Sequence, residues 1–473
     1  MKLLPLTLVC CSLVGCAVTV PESRMKEAGD QAPRRWSATH EGRAGIDTRW
    51  VSRIGGSRGA SLVDEALSAN PDMRMAAERV NRAIAASRTA GAAMRPTVEA
   101  GSNGARSKQI FVGFPFGDGS VPSSLSENYG ASLSVNWEPD IWGFARAGQS
   151  ALIADAQSEG QNYRAARASL AAQVIRAWLA LAEGNEQIVL AETSTRLFEQ
   201  TMDIVRDRFT NALAEKGGSA SQFRLTESQF ESSKATLAQR KGEREQAIRQ
   251  LELLLGRYPS GAIRSSEKLP SIPPMPPAGL PSELLLRRPD ILAAERRFAS
   301  SGSLLKQGKR AFYPSIKITA SGGTTTDSLS NITNSDFGVW RLAGALSQPI
   351  WAGGALRSEY SRLKSDDRAA LASLQSTVLN AFGEVEQALV ADRFMAQRGE
   401  ATAAALKSAT EAAEAANADY AGGTGDALTL ITAQSNRITL ASQLVTLRRL
   451  RLDNRVSLHL ALGGDYRVGK KSP

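Results

Sequence analysis

The chain has 473 residues, of which 57 are Lys or Arg and 47 are Asp or Glu, so its formal net charge is +10. No basic run with interleaved aromatic residues accompanies that charge, and we therefore predict no nucleic-acid partner. Aromatic residues make up only 6% of the chain, and alanine is abundant. This balance favours long, closely packed helices over a bulky globular core.

The sequence also predicts no enzyme activity, no metal site and no cofactor other than a covalent lipid. The chain has two histidines. His40 lies in a polar stretch, and His459 lies at an apolar helix end, where packing is the usual role. No Gly-rich phosphate loop follows a predicted strand. Paired acids such as Asp366 and Asp367 lie on predicted helices, where a solvated face or an ion pair between helices is the usual explanation.

Residues 1–15 are predicted to be a secretory leader. Lys2 supplies a minimal positive charge, and an apolar stretch too short to span a membrane follows it. The leader ends in Leu13-Val14-Gly15-Cys16, which resembles the lipobox of bacterial lipoproteins. That resemblance implies that Cys16 becomes the first residue and carries lipid, and Ala17 after it favours the outer membrane. An ordinary leader with an incidental cysteine is the alternative.

Residues 16–60 are polar and are predicted to be a tether between the lipid and the fold. A first structural repeat over 61–256 begins with a helix over 61–93 and a candidate strand over 97–107. Strict alternation then follows over 129–138, where Tyr129, Leu133 and Val135 alternate with small polar residues. A period of two predicts a strand, and about ten residues is the length of a tilted membrane-spanning strand.

The faces of this strand are predicted from the same alternation. Tyr129, Leu133 and Val135 are expected to face lipid, whereas Ser132, Ser134 and Asn136 are expected to face the lumen. A half-buried soluble sheet would show the same pattern. Trp137, Trp142, Trp340 and Trp351 are candidates for membrane-interface anchors, and packing beside a neighbouring subunit is the alternative for Trp142 and Trp351.

Two stretches of about 120 residues without proline follow, after Pro139 and after Pro349. Apolar residues recur in both at spacings of three and four, which indicates coiled-coil-like helices. Glycine clusters at 217–218 and 422–423 break them. Each half is therefore predicted to hold one helix roughly 100 Å long, a tight reversal and a shorter return helix.

A Pro-rich connector over 257–280 leads into a second repeat over 281–464, and a basic tail occupies 465–473. The second repeat opens with Arg287-Arg288-Pro289-Asp290, with Glu295 in the same helix, and Pro314 before a strand. Pro289 suits the first turn of a helix, and Asp290 suits the positive end of its dipole. Pro71 and Pro96 lie 218 residues before Pro289 and Pro314, so the chain is a tandem duplication.

This architecture predicts a channel. Four strands per chain cannot close a barrel in lipid, where open edges leave backbone groups unpaired. The chain must therefore oligomerise, and three copies would supply twelve strands. A barrel joined to long helices is a duct through one membrane. A lipid-anchored periplasmic coiled-coil scaffold without a pore is an alternative from another class.

The motifs resemble a known family. The stretch 284–291, the segment 312–315, Trp137-Glu138-Pro139-Asp140 and the segment 381–386 resemble the outer membrane factors, which are TolC-like channels. The likeness runs from about 61 to 464 and is greatest to NodT-type lipoproteins that serve RND multidrug pumps. Pro139 departs from the family, which usually has a Leu-like residue there, and we expect it to bend the strand-to-helix junction.

The resemblance implies a mixed, mainly α fold with membrane β structure. A homotrimer would share a 12-stranded outer-membrane barrel above a long-helix periplasmic barrel, with outer-membrane lipid around it. It also implies passive export, with a periplasmic adaptor and an inner-membrane RND or other pump as partners. A duct for a secreted protein or polysaccharide stays open as a second function.

A gate is expected where the long helices end. In the family the second hairpin narrows the periplasmic aperture, and Asp419, Tyr420 and Asp426 flank that turn here. Asp426 is alternatively an N-cap of the return helix. The first-half reversal, over 209–222, is about six residues longer than its counterpart over 420–427. That insertion leaves the choice of partner open.

Overall fold

A computed structural model describes residues 20–25, 33, 36–38, 49–112, 122–211, 219–265, 267–276, 278 and 281–464. Four predictions therefore lie outside the described residues: the leader, the lipidation of Cys16, the reversal at 217–218 and the basic tail.

The helix predicted over 61–93 is divided into two helices in the structure. Helix α1 spans Trp50–Ala69, so it begins earlier than predicted, within the segment that was expected to be a tether. Helix α2 spans Pro71–Ala92. Asn70 between them is extended, because the residue before a proline is kept from helical geometry. Its side-chain oxygen accepts a 2.8 Å hydrogen bond from the Asp72 amide, which caps α2.

Four strands form one antiparallel sheet in the order β1-β2-β3-β4. They are β1 Thr97–Ile110, β2 Ser123–Trp137, β3 Ser315–Thr326 and β4 Gly338–Ser347. The first repeat supplies β1 and β2, and the second repeat supplies β3 and β4. Single-turn 3-10 helices at Leu329–Asn331 and Ser335–Phe337 lie between the last two strands.

The long helices confirm the predicted duplication of element order. Helix α3 spans Phe144–Asn211 with 68 residues, and α4 spans Ala220–Leu254 with 35 residues. Their counterparts are α7, Ala355–Ala421 with 67 residues, and α8, Ala427–Ala461 with 35 residues. A short helix α5, Pro281–Arg287, precedes α6, Pro289–Arg310, which has 22 residues like α2.

The contacts divide the chain into two compact units, and each unit draws on both repeats. One unit comprises 1–25, 80–159 and 294–373, and it contains the sheet. The other comprises 26–79, 160–293 and 374–473. Its core packs Trp50 and Ile54 of α1 with Ile175 and Leu179 of α3 and Leu251 of α4. Within the described part of the chain, no helix has the length and apolar character needed to cross a membrane.

Candidate functional site

The register of the sheet sorts its side chains into an apolar and a polar face. Residues directly opposite each other in an antiparallel pair point to the same side. Leu133 lies opposite Ala100 and Gly322, and Val135 lies opposite Val98 and Ala320. The large apolar residues of this face are Val98, Leu133, Val135, Ile316, Ile318, Trp340, Leu342 and Leu346, and small or uncharged residues such as Ala320, Ser102, Thr324 and Thr326 share it. The opposite face holds Thr97, Glu99, Asn103, Ser132, Ser134, Asn136, Lys317, Thr319, Ser321 and Arg341.

Trp142 and Trp351 lie where strands meet helices, whereas Trp340 lies opposite Gly322, towards the other end of the sheet. The Trp142 indole donates a 2.7 Å hydrogen bond to the Pro314 carbonyl, and its ring lies 5.6 Å from that of Tyr313. Trp142 therefore packs within its own chain. Trp351 and Trp340 are 86% and 83% exposed, which leaves both available to a bilayer or to another subunit.

Asp140 organises the passage from β2 into α3. Its carboxylate accepts hydrogen bonds from the amides of Ala145 and Arg146, at 3.0 and 2.8 Å, and from the Arg146 guanidinium at 3.2 Å. This carboxylate satisfies donors that the first turn of a helix leaves unpaired. Pro139 lies between the end of β2 at Trp137 and this cap, at the junction where a bend was predicted.

The Arg-Arg-Pro-Asp motif ties three helices together. Pro289 begins α6 and Asp290 lies in its first turn, as predicted. The Arg288 side chain is buried. Its Nη1 donates to Glu384 of α7 at 2.6 Å and to the Ala461 carbonyl at the end of α8 at 3.1 Å. Its Nη2 donates to Asp290 at 2.6 Å.

These contacts set the ionisation of the motif. Burial raises the pKa of Asp290, but the hydrogen bond and charge of Arg288 outweigh it and hold that pKa below its ordinary value.

Arg287 ends α5 and lies against Gly463. Gly463 has φ of 100°, and a Cβ there would come within 3.1 Å of the Arg287 Cβ. The motif therefore acts as an internal brace.

Glu295 and the N-terminal segment form a second brace, in the unit that contains the sheet. Glu295 is 2% exposed, and its carboxylate accepts hydrogen bonds from the Arg24 amide at 2.9 Å and from Arg296 at 2.5 Å. The Arg24 guanidinium lies 3.5 Å from the Phe298 ring centroid and donates to Asp367 at 2.6 Å. Part of the predicted tether is thus bound to the fold.

Tyr420 is the buried centre of the described hairpin ends. It is 4% exposed and packs with Val205, Ala427 and Leu430. The Arg208 guanidinium lies 4.1 Å from the centroid of its ring, and Arg208 Nη2 donates to its carbonyl at 2.5 Å. Burial raises the pKa of the Tyr420 phenol, although Arg208 opposes that rise. The end of α3 is therefore linked to the end of α7 within one chain.

Asp419 and Asp426 lie on either side of the tight turn from α7 to α8. The Asp419 carbonyl accepts from the amides of Thr424 and Gly425, at 3.0 and 2.9 Å. The Asp426 side chain accepts from the Thr429 amide at 2.9 Å and from its hydroxyl at 2.6 Å, so it caps α8. These two bonds lower the pKa of Asp426. Capping was the alternative role predicted for it.

Residues 55–59 spell Gly-Gly-Ser-Arg-Gly, which fits the Gly-x-Ser-x-Gly pattern of hydrolase nucleophiles, so the inference from sequence that this pattern is absent was wrong. They lie at a kink within α1, where Gly56 has φ of 65°, and not on the strand-to-helix turn that the pattern requires. Gly55 and Gly59 instead allow close packing, since a Cβ at Gly55 would lie 2.5 Å from Ile175 Cδ1. Across the described ranges, no three His, Cys, Asp or Glu side chains are grouped to hold a metal.

Comparison with known proteins decides the family. The family model for outer membrane efflux proteins matches residues 62–257 and 280–464. The chain belongs to the outer membrane efflux protein family. The cation efflux system protein CusC of Escherichia coli is 26% identical over 475 residues, which cover 98% of this chain and 99% of that protein. The outer membrane protein OprJ of Pseudomonas aeruginosa is 28% identical over 444 residues, covering 92% and 90%.

The fold of this outer membrane efflux protein matches solved channels. The open state of the Neisseria gonorrhoeae MtrE outer membrane channel superimposes with a TM-score of 0.81 and 26% identity, covering 96% of this chain and 100% of that chain. The predicted TolC-like fold, the outer-membrane location and the function as an efflux channel are thereby confirmed.

Sequence reasoning missed several partners of the residues it identified. Tyr420 was predicted at the aperture, but Arg208, which binds it, was not. Arg288 was identified, and Glu384 was noted in a family motif and as a helical acid near Glu386, but the two were not recognised as partners. Arg24 was assigned to a tether. These pairs had no local signal, because the partners lie 96, 212 and 343 residues apart in the sequence.

Proposed function

We propose that the protein acts as a homotrimeric outer-membrane duct through which an efflux system exports drugs or other small molecules. The described sheet supports this proposal because β1 and β4 are its edge strands. Edges cannot remain open in lipid, and three copies would close twelve strands. Native mass spectrometry of the detergent-solubilised protein should give three times the chain mass, and a stable monomer would refute this stoichiometry.

We further propose a periplasmic adaptor and an inner-membrane RND pump as partners, with transport passive in this chain. The names of relatives such as CusC, a cation efflux system protein, support an efflux system over a protein or polysaccharide secretion duct. Deletion of the gene should sensitise the host to small toxic compounds, and re-expression should restore resistance. Unchanged susceptibility with loss of a secreted polymer would favour the alternative. No enzyme activity or cofactor is part of the proposal.

The lipid on Cys16 belongs to the same proposal. It rests on the Leu13-Val14-Gly15-Cys16 sequence, and the probable outer membrane lipoprotein SilC of Salmonella typhimurium, 25% identical over 471 residues, supports it. Mass spectrometry of the mature N-terminus should find acylated Cys16 with the preceding fifteen residues removed. An unmodified cysteine, or cleavage elsewhere, would refute it.

The apolar face of the sheet is proposed to face lipid and the polar face the lumen. Single cysteines along 129–137, treated with a bulky aqueous reagent, should then label alternately. Positions 132, 134 and 136 should react, while positions 129, 133 and 135 should be protected. Uniform labelling would refute the assignment, because a slip of one residue exchanges the two faces.

The hairpin ends are proposed to form the gate. The contact between Arg208 and Tyr420 supports this role, because it holds the described end of one hairpin against the other. Three copies of Asp419 and Asp426 would place carboxylates around one axis and favour cations there. Opening would require the second hairpin to part from Arg208, and engagement of an adaptor is the event proposed to cause it.

A further inference from the structure

The β1–β2 hairpin extends beyond the other two strands and carries cations on one side only. The register of β2 with β3 stops at Tyr129 and Thr326, whereas β1 and β2 remain paired as far as Ile110 and Ser123. Arg106 lies opposite Glu127, and Lys108 lies opposite Leu125. Within this extension, the other side carries only uncharged residues: Ala105, Ser107, Gln109, Ser124, Ser126 and Asn128.

These cations lie on the same side as the apolar face. Gly104 is opposite Tyr129, and the Tyr129 ring covers it, since a Cβ there would approach that ring to 3.2 Å. Arg106 follows two residues later, and its Nε lies 2.9 Å from the Glu127 carboxylate. Between the level of Ile316 and the level of Tyr129, this face carries no charged residue. Arg106 belongs to the next residue pair on the same face, so the cations begin directly beyond an uninterrupted neutral surface.

The length of the neutral surface matches the hydrocarbon layer of an outer membrane. Ile316 and Thr326 are ten residue steps apart in β3, about 33 Å along the strand. At the tilt of about 40° usual in membrane barrels, this corresponds to a height of about 25 Å, which is the height of a barrel's apolar band. Arg106 and Lys108 lie about 7 and 13 Å farther along the hairpin. The helices attach at the other end of the strands, so this end is the extracellular one.

We propose that Arg106 and Lys108 bind a phosphorylated glycolipid headgroup of the outer leaflet. Glu127 is 31% exposed and pairs with the Arg106 Nε, and the Arg106 side chain remains 65% exposed. Lys108 is exposed beside Leu125 and Ile110, which are 57% and 56% exposed. Cations would pair with phosphates while these apolar side chains contact the acyl region. The proposal rests on the lipid-facing assignment made under the proposed function.

If Arg106 and Glu127 served only to fix the strand register, fewer of these observations would be explained. An opposed pair of unlike charges does favour one register. It does not account for Lys108, whose opposite residue is Leu125, nor for the placement of both cations on the lipid side of the extension. Binding of an anionic headgroup accounts for both cations and for their position.

The test is the affinity of the purified trimer in nanodiscs for diphosphorylated lipid A, measured by native mass spectrometry. The variant Arg106→Gln/Lys108→Gln is compared with Arg341→Gln, which removes the same type of charge from the polar face. Each cation near an anionic lipid surface is worth about a 5-fold change, so the double variant should bind about 25-fold more weakly. Arg341→Gln should bind as wild type.

Three outcomes would overturn the proposal: wild-type affinity in the double variant, an equal loss in Arg341→Gln, or undiminished binding of lipid A that lacks its phosphates. If loss of the Arg106–Glu127 ion pair disturbs the hairpin, the single variant Lys108→Gln tests the proposal by itself. Its affinity for diphosphorylated lipid A should be about 5-fold weaker than that of wild type. Channel conductance and alternating cysteine labelling should be unchanged in Arg106→Gln/Lys108→Gln and in Lys108→Gln, because neither residue lies on the face assigned to the lumen. A failure of lipid binding with both intact would refute only this inference, not the proposed duct.

Discussion

Arg208→Gln should open the channel. In the structure the Arg208 guanidinium covers the Tyr420 ring at 4.1 Å and donates to the Tyr420 carbonyl. This side chain supplies the described charged contact between the last turn of α3 and the last turn of α7. Glutamine has no charge to place over the ring, and its shorter side chain cannot reproduce both contacts.

The two contacts set the size of the effect. A cation over an aromatic ring is worth about 0.5–2 kcal/mol, and a hydrogen bond to a charged group about 1.5–3 kcal/mol. Arg208 is only half-buried, so water recovers part of this when the contact is lost. A net loss of about 2 kcal/mol would change the ratio of closed to open hairpins by roughly 30-fold.

Single-channel recording of purified trimers in planar bilayers measures this ratio. Arg208→Gln should raise the open fraction strongly at the same voltage. Arg206→Gln is the matched control, because Arg206 lies two residues earlier in the same helix with its side chain 53% exposed. An open fraction equal to wild type in a folded Arg208→Gln trimer would refute the reasoning, as would an equal rise in the control.

Three further predictions concern the turn and the brace. Asp426→Ala, alone or with Tyr420→Phe, should raise conductance; lower thermal stability at unchanged conductance would mean that Asp426 is only a cap. The pKa of Asp290 is lowered in the fold, so its ionised form stabilises the folded state. This contribution to the free energy of unfolding is present above pH of about 4 and is lost as the pH falls through the pKa of the folded state. Urea titrations from pH 5 to 3 should therefore show a flatter acid limb for Asp290→Asn than for wild type. Arg288→Met should destabilise the fold by about 2–3 kcal/mol, because it leaves two carboxylates without their partner, although both are partly solvated. Glu384→Gln should destabilise it by about 1 kcal/mol, because Glu384 is the more exposed residue of its pair. Equal losses in the two variants would contradict the view that Arg288 is the buried partner.

The features predicted correctly are those with a local or periodic signal. The signals that predicted correctly were the period-two alternation in β2, the prolines Pro71 and Pro289 at helix starts, and the long stretches without proline. Each can be recognised in the sequence without knowledge of distant contacts. The equal lengths of α4 and α8, 35 residues each, follow from the duplication. The capping role of Asp426 was available as an alternative because a cap is a local pattern.

The features missed depend on contacts far apart in sequence. Residues 50–60 contain three glycines, which disfavour a helix by propensity, so the start of α1 at Trp50 depends on its packing against α3. The hydrogen bonds of Arg24 with Asp367 and of Arg208 with Tyr420 span 343 and 212 residues. Neither residue of such a pair carries a local signal that identifies its partner, so only the folded structure reveals the contact.

The conductance of the wild-type protein tests the central claim most directly. Protein that native mass spectrometry counts as a trimer should be added to a planar bilayer without adaptor, pump or energy source. A passive duct predicts discrete conductance steps, rare because the gate is closed at rest, that become more frequent in Arg208→Gln. A folded trimer that inserts and gives no steps in either form would contradict the duct and favour a scaffold without a pore.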